Sequence, residues 1–179
     1  MLEGFRLKIG LTYTRFHFRK TKDPVIRFTE AISRAKRALV ILPDSPRDIA
    51  SVQWIVRALA ERFAEGTMTV VVRSDLTTWV KGDGHYQVMT YDRKDITTWF
   101  VPRQGLLGKM KRSTFDVALD LNTSFALPGA FLCRESKAPL RVSFLKSYAD
   151  EFFNLQVQTK SVNSLALAYR NLLHCLEMF

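Results

Sequence analysis

Four residues able to hold a proton or an anion fall within five positions. They are Asp44, Ser45, Arg47 and Asp48, in the run Leu42-Pro-Asp-Ser-Pro-Arg-Asp48. An aspartate here could take up a proton, with an arginine beside it to hold an anion. The same Asp48 can instead cap a helix, favoured by the positive end of the helix dipole. Ser45 is a good N-cap, Pro46 suits the first helical position, and Asp48 sits where a capping box places its acid. The capping role is therefore favoured over catalysis. Arg47 has an equally plain account as an ion-pair partner of Asp44 or Asp48. A second polar pair, Asp120 and Asn122, closes the run Phe115-Asp-Val-Ala-Leu-Asp-Leu-Asn122. With Asp44 they could line a small ligand site, or they could bond the turn that follows; the turn is favoured.

Other chemistries find little support. His17, His85 and His174 are scattered, without the acidic spacing of a metal site or triad, and no metal or cofactor is expected. Cys133 and Cys175 have no metal-ligand spacing and read as reduced thiols. Trp54, Trp79 and Trp99 do not form a stacking row, so nucleic acid is a weak candidate partner.

The elements that must position these residues alternate between strands and helices. Ala38–Leu42, Met68–Val72, Tyr86–Met89, Phe115–Leu121, Leu140–Phe144 and Phe152–Val157 read as strands. Between them, one helix is expected from Pro46 to Phe63, with Ile49, Val52, Ile55 or Val56, Leu59 and Phe63 as its apolar stripe. Shorter helices are expected over Thr29–Lys36, from a Ser74 cap to Val80, over Leu106–Arg112 and over Ser124–Ser136. Gly82-Asp-Gly84 reads as a turn, and Ser161–Glu177 as a closing helix. Phe5–Tyr13 alternates like a strand, yet Leu2, Phe5, Ile9 and Phe16 also share a helical face, so its type stays open. The expected class is α/β, a Rossmann-like three-layer sandwich with a mostly parallel sheet. Residues 1–28 form a basic N-terminal arm in this division, and residues 29–179 a single domain that includes the C-terminal helix 161–177.

The chain of 179 residues carries a net charge of +10, unevenly placed. Before Ala38, ten basic residues stand against Glu3, Asp23 and Glu30, which leaves +7 in the first fifth. Arg15, Arg19, Lys20, Lys22, Arg34, Lys36 and Arg37 are the candidates for binding an anionic protein assembly or membrane surface. No apolar run is long enough to span a bilayer, and no export signal is legible, so a cytoplasmic location is expected, with a peripheral place on the inner membrane as an option.

Ala38–Leu59 resembles the opening of glycosyltransferase family nine, the lipopolysaccharide heptosyltransferases, which begin with a strand, a Gly-Asp loop and a helix ending in an Arg-Ala-Leu-like sequence. Asp48 matches the loop aspartate and Arg57-Ala58-Leu59 the helix end. Phe115–Asn122 resembles the family's second signature, and the segment through Phe144 its following helix and strand. The resemblance covers roughly Arg37 to Val157, and it implies the N-terminal half of a two-domain B-type glycosyltransferase. In that family the acceptor binds this half and the nucleotide sugar binds the other.

Three departures bear on activity. Asp44 and Arg47 replace loop glycines, so side chains stand where backbone N–H groups would approach a ligand. Leu42 and Gln53 replace a family arginine and proline. One further helix follows where the donor-binding half should begin. The expectation is thus a non-catalytic binding or scaffolding module, to which nucleotide sugar does not bind on its own. The alternative is a heptosyltransferase-like enzyme of envelope glycan synthesis, with Asp48 as base and a separate donor-binding chain. A second copy of the chain is a further candidate partner, through the face left bare.

Overall fold

The structure is a computed structural model that describes residues 2–80, 86–158 and 165–178. The expected turn at 82–84, His85 and the first residues of the C-terminal helix lie outside the described residues. Six strands form one sheet: β1 (Arg37–Ile41), β2 (Thr67–Arg73), β3 (Gln87–Tyr91), β4 (Val117–Asp120), β5 (Leu140–Phe144) and β6 (Leu155–Val157). Their order is β3-β2-β1-β4-β5-β6 and every pairing is parallel. Val40 stands between Val70 on one side and Leu119 on the other.

Both faces of this sheet are covered, which is why its strands read as continuous apolar runs. Side chains alternate with the pleat. Ala38, Val40 and Leu42 point toward Ile49, Ile55, Leu59, Tyr169 and Leu172, on helices α3 (Pro46–Ile49), α4 (Gln53–Arg62) and α7 (Leu165–Glu177), with α2 (Phe28–Arg34) beside them. Leu39 and Ile41 point the other way, toward Leu106, Leu107, Phe131 and Leu132 on α5 (Gln104–Met110) and α6 (Leu127–Glu135). Each fully buried Leu or Ile contributes roughly 1.5–3 kcal/mol of transfer free energy. This is the α/β Rossmann-like sandwich.

Three local expectations are corrected. The single helix from Pro46 to Phe63 is two helices, because Ser51 and Val52 donate to the carbonyls of Asp48 and Ile49, a tight 3₁₀ spacing that ends α3. The apolar stripe nevertheless stays on the sheet, with Val52 and Ile55 both buried. Ser45 holds the N-cap position of α3 with Pro46 next, but its side chain makes no capping bond. Ser74 does not cap its 3₁₀ turn either; its hydroxyl donates to the carbonyl of Tyr91 at 3.1 Å and ties the ends of β2 and β3 together.

The ambiguous N-terminal segment is a helix, α1 (Leu2–Phe18). Leu7, Leu11, Thr14 and Phe18, spaced four, three and four apart, turn inward. Phe18 packs on Phe131 with ring centres 5.0 Å apart, and His17 Nε2 lies 3.0 Å from Glu135. Gly10 permits the close approach: a Cβ there would stand 2.1 Å from the Trp99 carbonyl oxygen and 2.6 Å from a Leu127 methyl. Because Gly10 meets the start of α6 and Phe18 meets its middle, α1 runs alongside α6 in the same direction.

Glycine to alanine inside a helix normally gains about 1 kcal/mol. At Gly10 the backbone clash outweighs that gain, so Gly10→Ala is expected to lose about 1–3 kcal/mol in urea denaturation. A stabilised variant would show that α1 is not docked this closely.

Candidate functional site

The sheet reverses its winding between β1 and β4, and the carboxyl ends of these two strands flank the crevice where such folds bind ligands. Asp120 ends β4 there and is fully buried. Lys146, two residues beyond β5, reaches it with Nζ 2.8 Å from Oδ2 and donates a second bond, 2.7 Å, to the carbonyl of Asn122. The ammonium also lies 5.5 Å from the centre of the Phe153 ring. Asn122 donates from Nδ2 to Asp120 Oδ1 at 2.7 Å and from its backbone N–H at 3.1 Å. Its Oδ1 accepts the backbone N–H of Asp44 at 3.1 Å, joining the loop after β1 to the loop after β4. A Cβ at Gly129 would stand 3.0 Å from Ile41 and 3.4 Å from Asn122, so α6 crosses the crevice floor on a residue without a side chain. Tyr169 closes the other face by donating its hydroxyl to the Leu121 carbonyl at 3.1 Å.

A second group lies beside this one, at the ends of β2 and β3. The Tyr91 hydroxyl donates to Asp44. Arg73 forms a two-bond fork with Asp75, at 2.6 and 3.0 Å. Burial pushes the Asp44 carboxyl above its usual range, against the opposing pull of the Tyr91 hydroxyl and the Arg73 charge. Burial, and then the charge of Asp44, pushes the Tyr91 phenol well up, so Tyr91 stays a donor.

Of the residues expected to carry function, Asp44, Asp120 and Asn122 meet in one bonded network. Asp120 and Asn122 do bond their own turn, and they also bind Lys146 and the Asp44 loop. Asp48 is half-buried in α3, and its side chain makes no hydrogen bond or ion pair among the described residues. Its charge helps raise the Tyr169 phenol, after burial as the main cause. Arg47 is exposed and pairs with neither Asp44 nor Asp48 among the described residues. Among the described residues no acidic, histidine and cysteine cluster could hold a metal.

The basic candidates are spread around the molecule. Arg37 binds Asp116 at 2.6 Å at the amino edge of the sheet, the end opposite the crevice, with Lys36 beside it. Arg34 lies 4.0 Å from Glu30, and Arg15 pairs with Glu151 at 2.6 Å. Arg19 lies over the Phe16 ring at 3.8 Å, and Lys20 and Lys22 are exposed.

Lys146, Tyr91, Arg73 and Tyr169 were missed by the sequence reading. Arg73 and Tyr91 each end a strand, and Lys146 follows one. A polar residue where a buried apolar run meets the carboxyl edge was the available signal.

No protein-family model matches the chain, and no curated protein is significantly similar. Solved structures that share its fold include the following. A glycosyl transferase of family 9 from Veillonella parvula superposes with a TM-score of 0.63 at 16% identity, over 80% of this chain and 42% of that one. The E. coli heptosyltransferase WaaC with ADP gives 0.60 at 12% identity, over 78% and 46%. WaaC with ADP-2-deoxy-2-fluoro heptose gives 0.58 at 13%, over 80% and 49%. The chain thus spans about half the length of these structures.

Two consequences are measurable. Lys146→Met strands the buried Asp120 carboxylate and is expected to cost about 3–5 kcal/mol in chemical denaturation; a loss under about 1 kcal/mol contradicts the pairing. A carboxyl raised in the fold binds its proton more tightly folded than unfolded. Its contribution is complete below the ordinary carboxylate pKa near 4 and is lost as pH rises through the folded value. Asp44→Asn is therefore expected to fare better against the native chain near pH 7 than near pH 4 in thermal melts. The reverse ordering contradicts a raised Asp44.

Proposed function

We propose that this chain is a glycosyltransferase-family-nine-like binding module that does not transfer sugar on its own. The observation that carries this reading is the internal commitment of the crevice charges. Sugar transfer from an activated donor needs a base for the acceptor hydroxyl and cationic or N–H stabilisation of the departing diphosphate. Lys146 already neutralises Asp120, and Arg73 already neutralises Asp75. Freeing Lys146 for a diphosphate would leave Asp120 charged and unpaired in a site shut off from water, at a cost that a phosphate contact must first overcome. Arg47 is exposed and makes no ion pair among the described residues, but it stands on a four-residue helix with no glycine loop before it.

One observation favours a second reading, a heptosyltransferase-like enzyme completed by a separate donor-binding chain. Asp48, which matches the family's loop aspartate, has no partner among the described residues and so remains available as a base. Two of the solved neighbours are a heptosyltransferase holding ADP or an ADP-sugar analogue. That makes ADP the natural probe.

Isothermal titration of the whole chain with ADP and with an ADP-sugar separates the two readings. The binding-module reading predicts no saturable heat below a Kd of about 1 mM. Tighter binding that weakens in Arg47→Ala would overturn it and favour the enzyme.

A further inference from the structure

Helix α1 has two apolar faces, and only one of them is used. Leu7, Leu11 and Phe18 pack against the body of the protein. On the opposite side Leu2, Phe5, Tyr13 and Phe16 are 64, 60, 47 and 62% exposed, with Ile9 half-buried between them. Their spacing of three, four, four and three residues keeps them on one line, about 21 Å long at 1.5 Å per residue. Trp99, itself 40% exposed, borders this line where Ile9 and Tyr13 form one wall of an open groove. Three large aromatic side chains, two aliphatic ones and an adjoining tryptophan make a continuous apolar strip rather than scattered surface residues.

The charge around the strip says what covers it. From Leu2 to Lys22 there are six basic residues, Arg6, Lys8, Arg15, Arg19, Lys20 and Lys22, against the single acid Glu3. Of these, Arg15 is held by Glu151. Lys8, Lys20 and Lys22 are exposed and make no ion pair among the described residues, and the Arg19 guanidinium lies on the Phe16 ring at the strip's edge. Aromatic rings along one line with long cationic side chains beside it suit the boundary between acyl chains and anionic headgroups. There the rings enter the apolar zone while Lys and Arg reach back to phosphate. No helix among the described residues is long and apolar enough to cross a membrane, so α1 would lie on a bilayer rather than span it.

We infer that the outer face of α1, with Trp99 at its edge, docks the protein on an anionic lipid bilayer. Each aromatic residue adds apolar area withdrawn from water, and each lysine adds attraction to the negative surface. Neither suffices alone, which makes attachment reversible and dependent on both lipid charge and salt.

The test is sedimentation of the full chain with vesicles of phosphatidylcholine alone and of phosphatidylcholine with phosphatidylglycerol. Binding is expected on the anionic vesicles, weaker on the neutral ones, and falling as salt is added. Phe5→Gln with Phe16→Gln removes two exposed rings without adding charge and is expected to lower partitioning about tenfold or more. The melting temperature should stay unchanged. Lys8→Gln with Lys20→Gln, away from the apolar line, is expected to weaken binding to anionic vesicles severalfold and to leave neutral vesicles unaffected. No binding to anionic vesicles overturns the inference. So does full binding by both double variants, or a dimer that Phe5→Gln with Phe16→Gln dissolves in a chain that ignores vesicles. Vesicle binding and ADP binding report on different surfaces, so either can fail alone.

Discussion

Asp120 is a carboxylate at the end of a central strand with no access to water, and a lone charge there would cost several kcal/mol. Lys146 and Asn122 remove that cost together, the first by neutralising one oxygen, the second by bonding the other. Much of the crevice geometry follows. Lys146 fixes the loop after β5, Asn122 fixes the loop after β1 through the Asp44 N–H, and the absent side chain of Gly129 lets α6 pass over the node. A packed network of this kind holds one arrangement firmly, but it leaves few unspent donors for a ligand.

On the proposed reading, the same logic separates this crevice from a phosphate cradle. Cradles present backbone N–H groups, glycines and free cations to an anion. Here the N–H of Asp44 is used by Asn122, Lys146 and Arg73 are each paired with an aspartate, and the run from Leu42 to Asp48 contains no glycine. The half-buried Asp48 is the exception, and it sits against the Tyr169 side of the crevice rather than inside the bonded node.

Much of the fold was legible because a parallel sheet buried on both faces leaves an unmistakable mark. Ala38–Leu42, Met68–Val72 and Phe115–Leu121 are apolar runs of strand length, and each forms a strand within a residue or two of its expected ends. The N-terminal helix was harder, because α1 is apolar on two opposite sides. Leu7, Leu11 and Phe18 face in while Leu2, Phe5 and Phe16 face out, so Phe5–Tyr13 alternates by coincidence. The helical stripe visible in the sequence is the outer one, not the face that packs. Asp44, Asp120 and Asn122 could be found from their positions at strand ends. Their partners could not, because Lys146 and Tyr91 reach them across 26 and 47 residues of chain, contacts set by the strand order alone.

The central claim is that the Lys146 ammonium belongs to Asp120 and is not offered to a ligand. Its Nζ proton resonance, followed by nitrogen-detected NMR while ADP or pyrophosphate is added, tests this directly. A slowly exchanging signal, unchanged throughout the titration, is the predicted result. A signal that exchanges as fast as those of exposed lysines, or that shifts to saturation with the added diphosphate, contradicts the account.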